Sequence, residues 1–270
     1  MAEIKLTIDG IAVEVKKGTT VLEAARKSGI IIPTVCAHDD LSPYGACRLC
    51  IVEIDGVRGF PTSCTTPAEN GMVVRTRTEE LLSLRQRTLE LMLSGHPKSC
   101  LVCPHRVACE EHRPRPTKAG RTTRCGFCSN RPGCSIRDMS FEMCPTSELN
   151  LPTLYYGYNV ERSDPFMDRD YNLCVLCARC WRICEKLHGK PALSLINRGR
   201  WARPGTNFDK SYVDSGCTFC GACIDICPTG TLSDRYAKWY GLPDQIRGST
   251  CTLCPGGCPM SVWVKGGKVI

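Results

Sequence analysis

Residues 170–186 read DYNLCVLCARCWRICEK, and residues 215–230 read SGCTFCGACIDICPTG. Cys174, Cys177, Cys180 and Cys184 are echoed by Cys217, Cys220, Cys223 and Cys227, so the run C-x2-C-x2-C-x3-C occurs twice. In a pair of such runs three closely spaced thiolates hold three corners of an iron–sulfur cubane, and the fourth Cys of each run crosses to the other cluster. The spacing therefore predicts one [4Fe–4S] centre on Cys174, Cys177, Cys180 and Cys227, and a second on Cys217, Cys220, Cys223 and Cys184. Pro228 follows Cys227 as the motif expects, whereas Glu185 follows Cys184. Zinc prefers separated pairs of ligands and gives no reason for a third and a fourth Cys at these offsets.

Around this stretch, the 270-residue chain holds 22 Cys, far above ordinary usage. Something other than apolar packing must hold them. The start, MAEIKLTIDG, lacks the pattern of a signal peptide, and no apolar run approaches the roughly 18 residues that span a bilayer. The expectation is a cytoplasmic, reducing setting with no membrane span, where cysteines at such spacing bind metal rather than pair as disulfides. The formal charge of +8 counts every Cys as neutral. Five loaded, oxidised centres would bring on the order of −9 and nearly cancel it. No stripe of basic and aromatic residues belongs to a known nucleic-acid module, so no nucleic-acid partner is expected.

At the N-terminus, residues 3–8 and 11–15 alternate apolar and polar side chains around Asp9-Gly10, the signature of a two-residue hairpin. Thr20 and Glu23 form a capping box for a helix that Gly29 ends. Residues 51–54 and 72–75 read as returning strands. Between and beside them lie Cys36, Cys47, Cys50 and Cys64, spaced C-x10-C-x2-C-x13-C, with Gly45 letting the backbone approach a bound metal closely. Four thiolates in a loop-rich part of a small β-rich module suit a [2Fe–2S] cluster. A structural zinc site is the alternative.

From Thr78 to Ser94 a helix is expected, with Leu81, Leu82, Leu84, Leu89, Met92 and Leu93 on one face and Gly95 as its stop. His96, Cys100, Cys103 and Cys109 then follow as H-x3-C-x2-C-x5-C, a set able to hold a [4Fe–4S] cluster through one imidazole and three thiolates. His105 and His112 read as surface residues. After a basic loop at 113–124, interrupted by two prolines, Cys125, Cys128 and Cys134 repeat the C-x2-C-x5-C spacing. Here Cys144 is the expected fourth ligand of an additional [4Fe–4S] site, with structural zinc as the competing reading.

The Pro- and Tyr-rich segment 151–169 is expected to drape over the next module, and the spacer between the two long cysteine runs to form a hairpin. Near the C-terminus Cys251, Cys254 and Cys258 supply three ligands for a further [4Fe–4S] centre without a fourth, followed by a strand, a Gly-Gly turn and another strand.

In order, these motifs resemble the large peripheral iron–sulfur subunit of NADH dehydrogenase (complex I) and its relatives in NAD-linked hydrogenases and formate dehydrogenases. STCTLCPGGC, residues 249–258, resembles the opening of the [4Fe–4S] domain of molybdopterin oxidoreductases. The resemblance implies an α+β, multi-module iron–sulfur protein. Its modules would be a β-grasp [2Fe–2S] ferredoxin-like domain at 1–78, a helical linker with the one-His/three-Cys and four-Cys sites at 79–148, a 2[4Fe–4S] ferredoxin-like domain at 149–240 and a truncated segment at 241–270. It implies one [2Fe–2S] and four [4Fe–4S] clusters, with FMN and NAD(P)H on a partner subunit. The implied partners are a flavin- and NAD(H)-binding subunit, a small [2Fe–2S] subunit and a further catalytic subunit such as a hydrogenase, formate dehydrogenase or other reductase. The chain itself has no G-x-G-x-x-G loop and no P-loop, so a self-contained NADH oxidase is not expected. The expected function is an electron-transfer subunit of a soluble oxidoreductase complex, electron-bifurcating in one form. Two alternatives stay open: the N-terminal part of a molybdenum or tungsten formate dehydrogenase, and a zinc-stapled binding scaffold.

Overall fold

Alternating burial turns the first residues into a hairpin. In a computed structural model of the chain, β1 (Glu3–Ile8) buries Ile4, Leu6 and Ile8, and β2 (Ile11–Lys16) buries Val13 and Val15. Asp9 and Gly10 both take positive φ, as the tight primed turn of such a hairpin requires. The structure describes residues 3–103, 105, 125, 128, 130, 134–144, 151–236, 240 and 243–270.

Helix α1 (Val21–Lys27) starts at Thr20 with the reciprocal capping box and buries Val21, Leu22, Ala24 and Ala25. Strands β3 (Glu53–Ile54) and β4 (Val73–Arg75) complete a sheet of order β2-β1-β4-β3, with β1 and β4 parallel and the other pairs antiparallel. The returning strands are shorter than expected because residues 51 and 52 pair elsewhere: Ile51 bridges Thr62, and the Val52 amide donates to the Pro61 carbonyl at 2.9 Å. Helix, sheet and the loops beneath them enclose one apolar core that reaches Cys50 and Cys64.

Helix α2 (Glu79–Ser94) is capped by the Thr78 hydroxyl. Its inner face is Leu81, Leu89 and Leu93 together with Arg85 and Glu90, whereas Leu82, expected inside, is exposed. Helix α3 (Ser135–Met143) packs against α2. The Tyr-rich segment does lie across its neighbours. The Leu154 amide donates to Ser94 O at 2.6 Å, Lys98 Nζ donates to Leu151 O at 2.8 Å, and Tyr158 and Asn172 exchange two hydrogen bonds.

The next unit is built of very short elements. Strands β5 (Met167–Arg169) and β8 (Leu232–Asp234) pair antiparallel and bring its two ends together. Between them run α4 (Arg179–His188), the expected spacer hairpin β6 (Ser194–Ile196) and β7 (Arg203–Gly205), and the single turn α5 (Ala222–Asp225). Last comes an antiparallel sheet of β9 (Gln245–Thr250), β10 (Pro259–Lys265) and β11 (Lys268–Val269), exposed along most of its length. Among the described residues no helix is long and apolar enough to cross a membrane.

Candidate metal centres

The two long cysteine runs fold alike. In each, the residue two after the first Cys takes positive φ, Leu176 and Phe219, and so does the residue four after it, Ala178 and Gly221. The Leu176 amide donates to Cys174 Sγ and the Phe219 amide to Cys217 Sγ, both at 3.4 Å. A helix then starts within each run, just ahead of its third Cys. Left-handed turns of this kind aim successive backbone N–H groups at a concave anion site, which suits thiolate and sulfide.

Two open cavities result. One, of about 330 Å³, is lined by Cys174, Cys177, Cys180 and Cys227. The other, of about 430 Å³, is lined by Cys184, Cys217, Cys220 and Cys223. Helix α4 thus sends Cys180 into one cavity and Cys184, one turn later, into the other. Burial pushes the Cys177 and Cys223 thiols up to about 12, and raises those of Cys174 and Cys180 well above the ordinary thiol value. Such thiols stay protonated unless a cation takes the proton's place, which the irons of a cluster would do. Thr229 lies 3.7 Å from Cys227 Sγ, and His188 Nε2 lies 3.5 Å from the exposed Cys220 Sγ.

Cys36, Cys47, Cys50 and Cys64 converge in the first module and are all buried. The Cys47 thiol is hydrogen-bonded with that of Cys36, and the Cys64 thiol with those of Cys50 and Cys36. The shared bond to Cys36 and burial push the Cys47 thiol well up, while the bond from Cys64 holds Cys50 down. Backbone amides supply the positive ends a cluster's thiolates need: those of Val35 and Leu49 face Cys47, and that of Gly45 faces Cys64. Gly45 has φ +69, and a Cβ there would stand 3.2 Å from the Thr65 methyl.

Sequence reasoning missed Arg85. It is 2% exposed, and its guanidinium donates to Leu49 O at 3.0 Å, Thr76 O at 2.8 Å and Ile51 O at 2.6 Å. Three carbonyls, two of them flanking Cys50, are thereby tied to α2. A basic residue in an otherwise amphipathic helix gives no sign of this, because its partners come from the loop rather than from the helix.

His96 directly follows the end of α2 and is 6% exposed. Its Nδ1 lies 3.1 Å from Pro97 O, which can only accept, so Nδ1 carries the proton and Nε2 keeps a free lone pair. Burial holds its pKa down at about 4, so the ring is neutral at pH 7, as a metal ligand must be. Cys100 and Cys103 are half-buried, and Cys109 lies outside the described residues, as does His112. His105 is exposed, in line with a surface role. The Cys125 and Cys100 thiols lie in hydrogen-bond contact, with Cys128 and Cys134 nearby. Cys134 and Cys144 stand at opposite ends of α3. Cys251, Cys254 and Cys258 share one exposed loop, where the Cys251 amide donates to Cys258 O at 2.8 Å.

Among the described residues, no three donors converge on a point suited to a single metal ion. A cluster asks for something different, since its cysteines are spread over several irons, one to each iron of a cubane and two to each iron of a [2Fe–2S] centre, and need not converge on one point. The paired cavities and the buried first site fit that demand. None of the described cysteines forms a disulfide.

Helix α4 also joins the sites. Arg179 Nη2 donates to Ala37 O at 2.8 Å, Arg182 Nη1 to Cys36 O at 3.0 Å, and Lys186 Nζ to Asp40 O at 2.5 Å. Arg182 also reaches Ser42 O and stacks over the Tyr44 ring. Spaced three and four apart, these cations form one face of the helix. They grip the loop that starts at Cys36.

Residues 1–79 match the 2Fe-2S iron–sulfur cluster binding domain, and residues 164–233 match the ferredoxin-like domain of NADH-quinone oxidoreductase subunit 3. The chain is 35% identical to the NADPH-Fe(3+) oxidoreductase subunit alpha of Geobacter sulfurreducens, over 98% of this chain and 28% of that one. It is 28% identical to the 78 kDa subunit of mitochondrial NADH-ubiquinone oxidoreductase from Candida albicans, over 92% of this chain and 31% of that one. The chain thus spans about a third or less of the length of these relatives. A chain in the crystal structure of an NAD+-reducing [NiFe]-hydrogenase in the H2-reduced state is 26% identical, with a TM-score of 0.69, over 87% of this chain and 89% of that one.

Proposed function

We propose that the chain, a homologue of the iron–sulfur subunits of NADH- and NADPH-linked oxidoreductases and hydrogenases, relays electrons between a flavin subunit that handles NAD(P)H and a second redox centre. Cys36, Cys47, Cys50 and Cys64 hold a [2Fe–2S] cluster. Cys174, Cys177, Cys180 and Cys227 hold one [4Fe–4S] cluster, and Cys184, Cys217, Cys220 and Cys223 another. The segment from His96 to Cys144 holds further [4Fe–4S] chemistry. Bound clusters supply one-electron carriers, and the chain's own residues set their spacing, burial and hydrogen bonding. The active site sits on partner subunits, and a reducing cytoplasm suits the free thiols.

One observation carries this reading: a single helix sends Cys180 and Cys184 into two cavities while its basic face grips the loop of the third site. Three sites are thus braced by one rigid element, as a relay requires. Anaerobic purification of the native complex, with iron, sulfide, zinc and flavin analysis, tests it. Iron in excess of zinc and a co-purifying flavoprotein are the expected result. A colourless chain with stoichiometric zinc would return the reading to a binding scaffold.

A second reading rests on the exposed sheet β9–β11. Leu253, beside Cys254, is 94% exposed, and Ile246, Met260 and Trp263 are exposed on the strands. Three cysteines and an uncovered sheet suit the first part of a module completed by other residues, such as a molybdenum or tungsten formate dehydrogenase body. Molybdenum or tungsten in the purified complex would favour it.

A further inference from the structure

Helix α4 brings a second polar side chain to the cavity that receives Cys184. His188 stands four residues after that cysteine, so the two side chains lie one above the other on the same side of the helix. Both line the cavity of about 430 Å³, together with Cys217, Cys220 and Cys223. Gly189, at φ +66, ends α4 directly behind His188, so the helical spacing still holds at the position of the ring.

Of the eight cysteines in the paired sites, Cys220 is the exposed one, and the other seven are buried or half-buried. His188 stands beside it. Its Nε2 lies 3.5 Å from Cys220 Sγ and 3.5 Å from Thr218 Oγ1. That length suits a hydrogen bond to sulfur, whose atom is larger than oxygen. A thiolate bound to iron can only accept, so with a cluster in place the proton that faces it belongs to Nε2. The Thr218 hydroxyl can accept a share of the same proton, which keeps the ring turned toward the cavity.

The other cavity repeats the ligands and the turns but not this group. Cys177, which takes there the place of Cys220, is half-buried. The described residues that line that cavity include Trp181, Thr229 and Thr231 and no histidine.

We propose that His188 donates a hydrogen bond from Nε2 to Cys220 Sγ and thereby raises the reduction potential of the cluster held by Cys184, Cys217, Cys220 and Cys223. Reduction adds negative charge to a cluster and its sulfurs, and a donor fixed at one sulfur stabilises the more negative state more strongly. The electron comes from the relay proposed above, and no bond to iron forms or breaks. The inference rests on the reading of these four cysteines as [4Fe–4S] ligands.

The test is a redox titration of the anaerobically purified complex at a single pH, followed by EPR, with iron per chain measured alongside. Cys220→Ser first marks the signal that belongs to this site. His188→Leu, which has no donor, is expected to move the midpoint potential of the marked signal lower and to leave the other signals and the iron content as in the wild type. His188→Gln is expected to hold the wild-type potential, because its amide presents an N–H near the place of Nε2 and carries no charge. The proposal is overturned if His188→Leu leaves the marked potential unchanged or takes iron from the site. It is equally overturned if His188→Gln shifts as far as His188→Leu, which would make the effect one of charge. Should His188→Leu not accumulate, His188→Met, similar in length and also without a donor, takes its place. A Cys220→Ser variant that alters no signal, or a wild-type complex with zinc in place of iron, would instead defeat the ligand reading itself, a result distinct from any shift at His188.

Discussion

Arg85 is a buried cation whose worth lies in what would be stranded without it. Its three acceptors are loop carbonyls away from water, and each loses its partner if the guanidinium goes. A buried group left unpaired costs about 1–3 kcal/mol. A lysine keeps the charge but not the planar fork that serves three acceptors at once. Arg85→Lys is therefore expected to destabilise the first module by roughly 3 kcal/mol, and chemical denaturation followed in the far ultraviolet measures it. A change within ~0.5 kcal/mol, the usual range for surface substitutions, would mean the carbonyls find other partners. Gly45 makes a second case at this scale. At φ +69 a side chain costs roughly 1–2 kcal/mol from backbone strain alone, and here a Cβ also crowds Thr65 and Thr62. Gly45→Ala should lower stability by about that amount and reduce iron occupancy of the [2Fe–2S] site, since the Gly45 amide faces Cys64. Unchanged iron content would detach this glycine from the site.

At the scale of elements, α4 is both a ligand carrier and a clamp. Arg182 alone donates to Cys36 O and Ser42 O and covers Tyr44. Arg182→Ala is expected to loosen the loop at 36–44 by roughly 2 kcal/mol, taking hydrogen bonds to a charged group at about 1.5–3 kcal/mol each and discounting the partly exposed one. Hydrogen exchange of those amides should speed up while that of the hairpin β1–β2 stays as it was; equal acceleration of both would point to global destabilisation instead. This clamp was not legible in the sequence. Nothing near Arg179, Arg182 and Lys186 in the sequence marks their role, because their acceptors are backbone carbonyls about 140 residues away and a carbonyl has no sequence signature. Local rules were legible: the Asp9-Gly10 turn, the Thr20–Glu23 capping box and the spacer hairpin all depend on residues close to one another in sequence. The gathering of Cys174, Cys177 and Cys180 with distant Cys227 was legible too, because there the spacing itself encodes the geometry.

Across the whole molecule, dependence on metal should be uneven. The first module has a core of its own, in which two strands, a helix and the returning strands bury Leu6, Ile8, Val21, Leu22 and Val74. The unit from β5 to β8 has three-residue strands and a single-turn helix, and its buried cluster includes Cys180 and Cys223, with Cys184, Cys217 and Cys227 packed against it. A unit that small supplies only a few kcal/mol from apolar burial, so ligand bonds must hold it together. It also buries Asp164 against Arg169 at 2.9 Å, with further polar atoms of both left without a hydrogen bond. An ion pair taken out of water in this way is weak evidence for stability. Anaerobic chelation of iron is therefore expected to split the chain's behaviour. Amides of β1, β2 and α1 should keep measurable protection from hydrogen exchange, while those of α4 and the β5–β8 pair lose theirs. If protection in α4 and β5–β8 survives in the iron-free chain, apolar packing carries that unit and its cavities are preformed pockets. If β1 and β2 lose protection in step with α4, then the clamp between α4 and the Cys36 loop couples the modules strongly enough that the cluster-bearing core and the sheet unfold as one.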